Sequence, residues 1–238
     1  AYDVVDEKII TSLADAKDRI WHFHELQRSR DLWLEEVEPG IVLGMKTTPL
    51  HRVGIYIPGG RAAYPSSALM CAIPAQVAGV PEICACSPPP INPMTLVALD
   101  LAGVPEIYQS GGAQAIAAMA LGTETIPPVQ KIVGPGNIYV TLAKMMLREH
   151  VEIDFPAGPS EIGIIADDTA DPRIIAADVL AQAEHDPDAA CILITTDPDL
   201  PEKVGREVTA MTVKAPRREI IEQALNNSGY VVVPDLAE

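Results

Sequence analysis

Ala78-Gly79-Val80-Pro81-Glu82-Ile83 recurs twenty-four residues later as Ala102-Gly103-Val104-Pro105-Glu106-Ile107. Each copy closes an apolar helical run and opens an apolar extended one. Glycine ends a helix in a left-handed cap, proline two residues on forbids its continuation, and a strand begins. Two successive helix-to-strand turns built alike indicate stacked βα units in a parallel sheet.

Outward from this repeat the alternation continues in both directions. Helices are predicted over 65–78, 94–102, 113–121 and 138–149, with strands at 82–86, 106–108 and 131–133. Upstream, Ile9, Leu13, Ala16, Ile20, Phe23 and Leu26 recur at steps of three and four, which predicts an amphipathic helix over 4–28. His22 and His24 lie two apart on it, do not share a face, and are read as surface or packing residues. After Pro39-Gly40 two extended runs follow, 41–46 and 52–57. Downstream a second series is predicted: strands at 161–166, 191–195 and 230–233, and helices over 171–184, 200–211 and 217–226. The segment 151–159 is the expected crossing between lobes. Residues 234–238 read as the opening of another helix, so the chain is expected to continue.

The composition agrees with this class. Apolar residues make up 48% of the 238 residues and aromatics only 4%, a mixture suited to parallel strands covered by small-residue helices. The formal net charge of −16 repels a phosphate backbone, which argues against nucleic acid as a partner. No stretch reaches the roughly 18 continuous apolar residues of a membrane span. Cys71, Cys84, Cys86 and Cys191 form no C-x-x-C pair and sit among apolar neighbours. They are read as reduced core residues, and a cytoplasmic location is expected.

Four loops at predicted strand ends are rich in glycine and proline, and ligands of open α/β sheets bind outside the carboxyl ends of strands. The first is Gly54-Ile55-Tyr56-Ile57-Pro58-Gly59-Gly60. Gly111-Gly112-Ala113-Gln114 and Gly134-Pro135-Gly136-Asn137 each open a helix. Taken singly each is a structural turn; three on successive βα units point to a shared cleft. None is the G-x-G-x-x-G of dinucleotide sites, so the motif alone does not identify NAD. The fourth loop, Phe155-Pro156-Ala157-Gly158-Pro159-Ser160-Glu161, presents a hydroxyl and a carboxylate. Ser160 lacks the G-x-S-x-G of a serine hydrolase. Gln182 and His185, three apart at a helix end, share a face and supply two donors, half of what a zinc site needs. The plain alternative is a polar helix end.

Taken together, GIYIPGG (54–60), GGAQAIAA (111–118), KIVGPGN (131–137), PAGPSE (156–161) and QAEH (182–185) resemble the histidinol dehydrogenase family. The resemblance implies two related, incomplete Rossmann-like lobes, one inserted in the other. Residues 52–153 would form the inserted lobe on the NAD side, and 1–50 with 154–238 the first lobe. It implies oxidation of L-histidinol through L-histidinal to L-histidine by a homodimer, with two NAD⁺ and one zinc ion per subunit. Tyr56, Gln114 and Asn137 match positions that contact NAD. Ser160 matches a substrate contact, and Gln182 and His185 match two zinc ligands that also face the substrate. The family's Glu-His acid/base pair and the remaining Asp and His zinc ligands are expected beyond residue 238. Two alternatives stay open: a relative acting on another alcohol, such as a sulfonated diol, and a fold-retaining module without catalysis. Gln/His/Asp ligation also accepts manganese or cobalt.

Overall fold

In the computed structural model Gly79 and Gly103 take φ of +83° and +67°, the left-handed caps that the repeated hexapeptide requires. Both turns carry the same hydrogen bonds. The Val80 N–H reaches the Ala75 carbonyl at 3.0 Å and the Val104 N–H reaches that of Leu99 at 2.9 Å, while Gly79 and Gly103 each bond three residues back, at 2.8 Å. The structure describes residues 1–59, 63–156 and 161–235. The chain divides into two compact units, Ala1–Ala157 and Gly158–Glu238.

In the first unit a short 3-10 turn leads into helix α1 (Glu7–Gln27), capped by Asp6, whose carboxylate accepts from the Lys8 N–H. Strands β1 (Leu32–Glu38) and β2 (Ile41–Lys46) form an antiparallel hairpin exposed along its whole length. The remainder alternates: β3 (Arg52–Tyr56), α2 (Pro65–Val77), β4 (Glu82–Cys86), α3 (Pro93–Leu101), β5 (Glu106–Tyr108), α4 (Gly112–Leu121), β6 (Lys131–Val133), α5 (Ile138–Met146) and β7 (Glu152–Ile153). These strands make a five-stranded parallel sheet in the order β5-β4-β3-β6-β7. Counted from β3 this is 3-2-1-4-5, the doubly wound order, with its switch point between β3 and β6.

Both faces of this sheet are covered. On β4, Ile83 and Ala85 join Leu69, Ile73 and Leu99 in one core, while Cys84 and Cys86 join Ile116, Met119 and Ile132 in the other. The period of two along a strand places the two cysteines on one face, as expected, and all four cysteines are unpaired thiols. Burial pushes the Cys86 thiol up to about 12. Leu13, Ala16, Ile20 and Trp21 of α1 pack against the first of these cores, so the apolar face of α1 is used within this unit.

The amino-terminal edge of the sheet is held by Arg52, which is 5% exposed. Its guanidinium donates to Glu82 at 2.8 Å and doubly to Glu106 at 2.9 and 2.6 Å. Those two carboxylates are the glutamates of the repeated hexapeptide. Arg52 donation is the main cause that holds the Glu106 carboxyl down at about 2, with a further bond from the Tyr108 hydroxyl at 2.6 Å. The acceptor role of Glu106 pushes Tyr108 up to about 12.

In the second unit β8 (Glu161–Ala166), α6 (Pro172–Ala183), β9 (Ala190–Thr195), α7 (Leu200–Thr212), α8 (Arg218–Leu225) and β10 (Gly229–Val232) build a parallel sheet in the order β10-β9-β8. Cys191 and Leu193 pack on Ile175, Val179, Leu200 and Val204. The opposite face presents Ile165 and Ile192 outward. Of the helix expected at 234–238, residues 236–238 lie outside the described ones. No helix among the described residues is long and apolar enough to cross a membrane.

Candidate functional site

The carboxyl ends of β3 and β6 meet at the switch point, where an open α/β sheet has its crevice. Tyr56, the last residue of β3, is 3% exposed, and its hydroxyl accepts the Gly112 N–H at 3.0 Å. The end of β3 is thereby tied to the first residue of α4. Gly134 follows β6 with φ of +114°, and a Cβ there would run into the Tyr56 carbonyl oxygen. Only glycine fits, because both the conformation and the space are denied to other residues.

The Gly134 peptide is held from a third side. Asp154, just past β7, accepts the Gly134 N–H through Oδ2 at 2.7 Å and the Lys144 Nζ through Oδ1 at 2.6 Å. Lys144 Nζ also donates to the Gly134 carbonyl at 2.5 Å. Lys144 is 4% exposed, on the inner face of α5. Three residues after Gly134, Asn137 caps α5, its Oδ1 accepting from the Val140 N–H at 3.1 Å. That leaves the Asn137 amide nitrogen as its donor. Gln114 is exposed in the first turn of α4. The amino-terminal ends of α4 and α5 both open beside these loops, and such ends favour negative groups.

Tyr56, Gln114 and Asn137 therefore lie at the carboxyl edge of one sheet. Lys144 and Asp154 were not singled out from the sequence. The available signal was a lone lysine inside the apolar run 138–147; nothing pointed to its partner ten residues on. A cleft of about 880 Å³, lined by Met70, Cys71, Pro74, Val133, Gly134 and Asp154 among others, reaches the end of β6 and the Gly134 loop.

In the second unit Gln182 occupies the last turn of α6 and His185 follows its C-cap, Glu184. The His185 N–H bonds the Gln182 carbonyl at 3.1 Å, which keeps the two close. Gln182 is half-buried and His185 exposed. Among the described residues no group of three His, Cys, Asp or Glu side chains is placed to hold a metal. An amide oxygen and an imidazole are donors that zinc accepts, so the pair fits as part of a metal site and not as a whole one. Ser160 lies outside the described residues. Two Glu-His dipeptides occur in the chain, Glu149-His150 and Glu184-His185, and both are exposed.

A family model described as histidinol dehydrogenase matches residues 1–238. The chain belongs to the histidinol dehydrogenase family. It is 48% identical to the histidinol dehydrogenase of Methanosarcina mazei over 240 residues, covering 99% of this chain and 55% of the relative. It is 52% identical to that of Heliobacterium mobile over 243 residues, covering 100% of this chain and 57% of the relative. The crystal structure of histidinol dehydrogenase from Elizabethkingia anophelis superposes with a TM-score of 0.92 at 42% identity, over 99% of this chain and 55% of that one. The chain thus spans about half the length of the histidinol dehydrogenases it matches. The putative aldehyde dehydrogenase PutA from Anabaena variabilis, at 14% identity and a TM-score of 0.56, shares the fold alone, over 87% of this chain and 44% of its own.

Proposed function

We propose that this chain is the central part of an enzyme that oxidises L-histidinol through L-histidinal to L-histidine. The overall change takes one alcohol, two NAD⁺ and one water to one carboxylate, two NADH and three protons. The observation that supports this reading is that the loops leading to Gln114 and Asn137 both abut Tyr56, through the Gly112 N–H and the Gly134 backbone, in a chain whose whole length matches the family. When bound, NAD⁺ supplies the hydride acceptor and zinc a Lewis acid that fixes the substrate.

The chain's own residues have separate tasks. Tyr56 holds the α4 opening in place, Gln114 offers an exposed amide beside it, and Asn137 retains a donor at the α5 opening. Gln182 and His185 contribute two of the zinc donors and face the substrate, with Ser160 as a further substrate contact. The acid/base pair and the remaining donors come from outside these 238 residues, so the chain alone is inactive. The homodimer and the cytoplasmic location belong to the same proposal.

The test compares the full-length protein with residues 1–238 alone, both purified, by NADH formation from L-histidinol and by zinc content. Turnover with about one zinc per subunit in the former and none in the latter is expected. Brisk turnover by residues 1–238 alone would overturn the inactive-part reading. No turnover of L-histidinol by the full-length protein would overturn the substrate.

A further inference from the structure

We infer that Lys144 and Asp154 form a buried clamp that positions the Gly134-Pro135-Gly136-Asn137 loop for the dinucleotide, which makes them positioning residues for cofactor affinity. The inference rests on the proposed NAD-dependent reading. Its geometry stands independently of that reading.

A lysine that is 4% exposed costs much to bury unless its charge is met. Here the ammonium meets one carboxylate oxygen and one carbonyl, and both belong to the Gly134 environment. The other carboxylate oxygen takes the Gly134 N–H. Asp154 and Lys144 therefore close a ring through both polar groups of a single residue. A clamp for general stability has no need to converge on a loop. This one converges on the residue that follows β6, at the switch point, three positions before the helix-capping Asn137.

Gly134 needs such holding. Its φ of +114° and its close approach to the Tyr56 carbonyl give the loop one compatible course. The Asn137 side-chain amide and the first N–H groups of α5 take their positions from that course. Binding energy gained from preorganised donors is lost when the loop must order itself on each encounter. Removing the ammonium leaves the Gly134 carbonyl without its donor while Asp154 still holds the N–H, so the loop loosens without the strand moving.

The test uses the full-length protein and compares it with Lys144→Met and Lys144→Arg. Expected for Lys144→Met is a rise of about tenfold or more in KM for NAD⁺, the loss of one charge-assisted bond's worth of ordering. The dissociation constant of NADH, read by fluorescence titration, rises in parallel. KM for the alcohol and kcat stay within about threefold, and Lys144→Arg recovers part of the affinity. An unchanged KM for NAD⁺ in folded Lys144→Met, or a fall in kcat alone, overturns the clamp's role and leaves the functional reading intact. If Lys144→Met does not fold, Asp154→Asn, which removes the charge that meets Lys144, decides: a cofactor KM equal to that of the unaltered protein overturns the inference. Absence of NAD⁺-dependent turnover in the unaltered protein overturns both.

Discussion

Arg52 reaches across β4 to Glu106, with Nη1 to Oε1 at 2.9 Å and Nη2 to Oε2 at 2.6 Å, so one bidentate pair joins the first strand of the sheet to an edge strand. Replacing Arg52 with methionine leaves Glu82 and Glu106 without their shared cation. Breaking a fully buried pair costs about 3–5 kcal/mol. Both carboxylates here are more than a third solvated, 44% and 36%, which scales the effect to about 2 kcal/mol. Urea denaturation of the variant measures it; a midpoint equal to that of the unaltered protein would contradict the role given to Arg52.

The same pair makes stability depend on acid. Glu106 titrates at about 2 when folded, against an ordinary value of 4.5. A depressed folded pKa contributes stability that is complete above the unfolded value and is lost as pH falls from about 4.5 through about 2. Glu106→Gln removes that contribution, so its urea midpoint should fall less steeply between about pH 5 and about pH 2.5 than that of the unaltered protein. Parallel slopes would exclude Glu106 as a source of acid lability.

Gly79 and Gly103 share a conformation and differ in surroundings. A Cβ on Gly79 meets only Pro49, at 3.7 Å, whereas one on Gly103 falls 2.6 Å from the Gln76 Nε2. The amide end of Gln76 can swing aside at the loss of its 3.3 Å bond to the Gly103 carbonyl, so the backbone term dominates both sites. Gly79→Ala and Gly103→Ala should each lose about 1–2 kcal/mol. Thermal unfolding that separates them widely would show that Gln76 is not free to move.

Thiol chemistry reports on the core. Cys84, Cys86 and Cys191 are buried, and burial raises all four thiols, Cys71 to about 11. A disulfide reagent at neutral pH should titrate at most Cys71 in the folded protein, slowly, and four thiols after denaturation. Rapid reaction of more than one thiol in the folded protein would contradict the two-sided sheet.

His185→Ala in the full-length protein should lower bound zinc well below one per subunit, while its thermal midpoint moves little because the side chain is exposed. Metal analysis after gel filtration measures this. Full zinc retention would remove His185 from the ligand set.

The βα alternation was legible because each turn carries its own chemistry: Gly79 and Gly103 cap, Pro81 and Pro105 stop, and strands 82–86, 106–108 and 131–133 begin where expected. Two strands escaped. β7 has two residues, too few to show a period, and β1 is exposed on both faces, so Leu32, Trp33 and Leu34 show no alternation of burial. The helix expected over 138–149 ends at Met146, since Arg148, Glu149 and His150 add no apolar residue to the packed face. The loops of the site were legible through glycine and proline. What fixes them was not: Lys144 reads as a surface residue until its partner across the sheet edge is known, and cofactor and metal followed from resemblance alone.

One guanidinium serves both copies of the repeated hexapeptide, so the copies are not free to drift apart. A change at Glu82 throws the whole charge of Arg52 onto Glu106, and a change at Arg52 strands both acids together. The effect of any one replacement at positions 52, 82 and 106 therefore depends on the other two. In a set of related sequences these three positions should change as a group, through joint replacement by uncharged residues rather than one at a time.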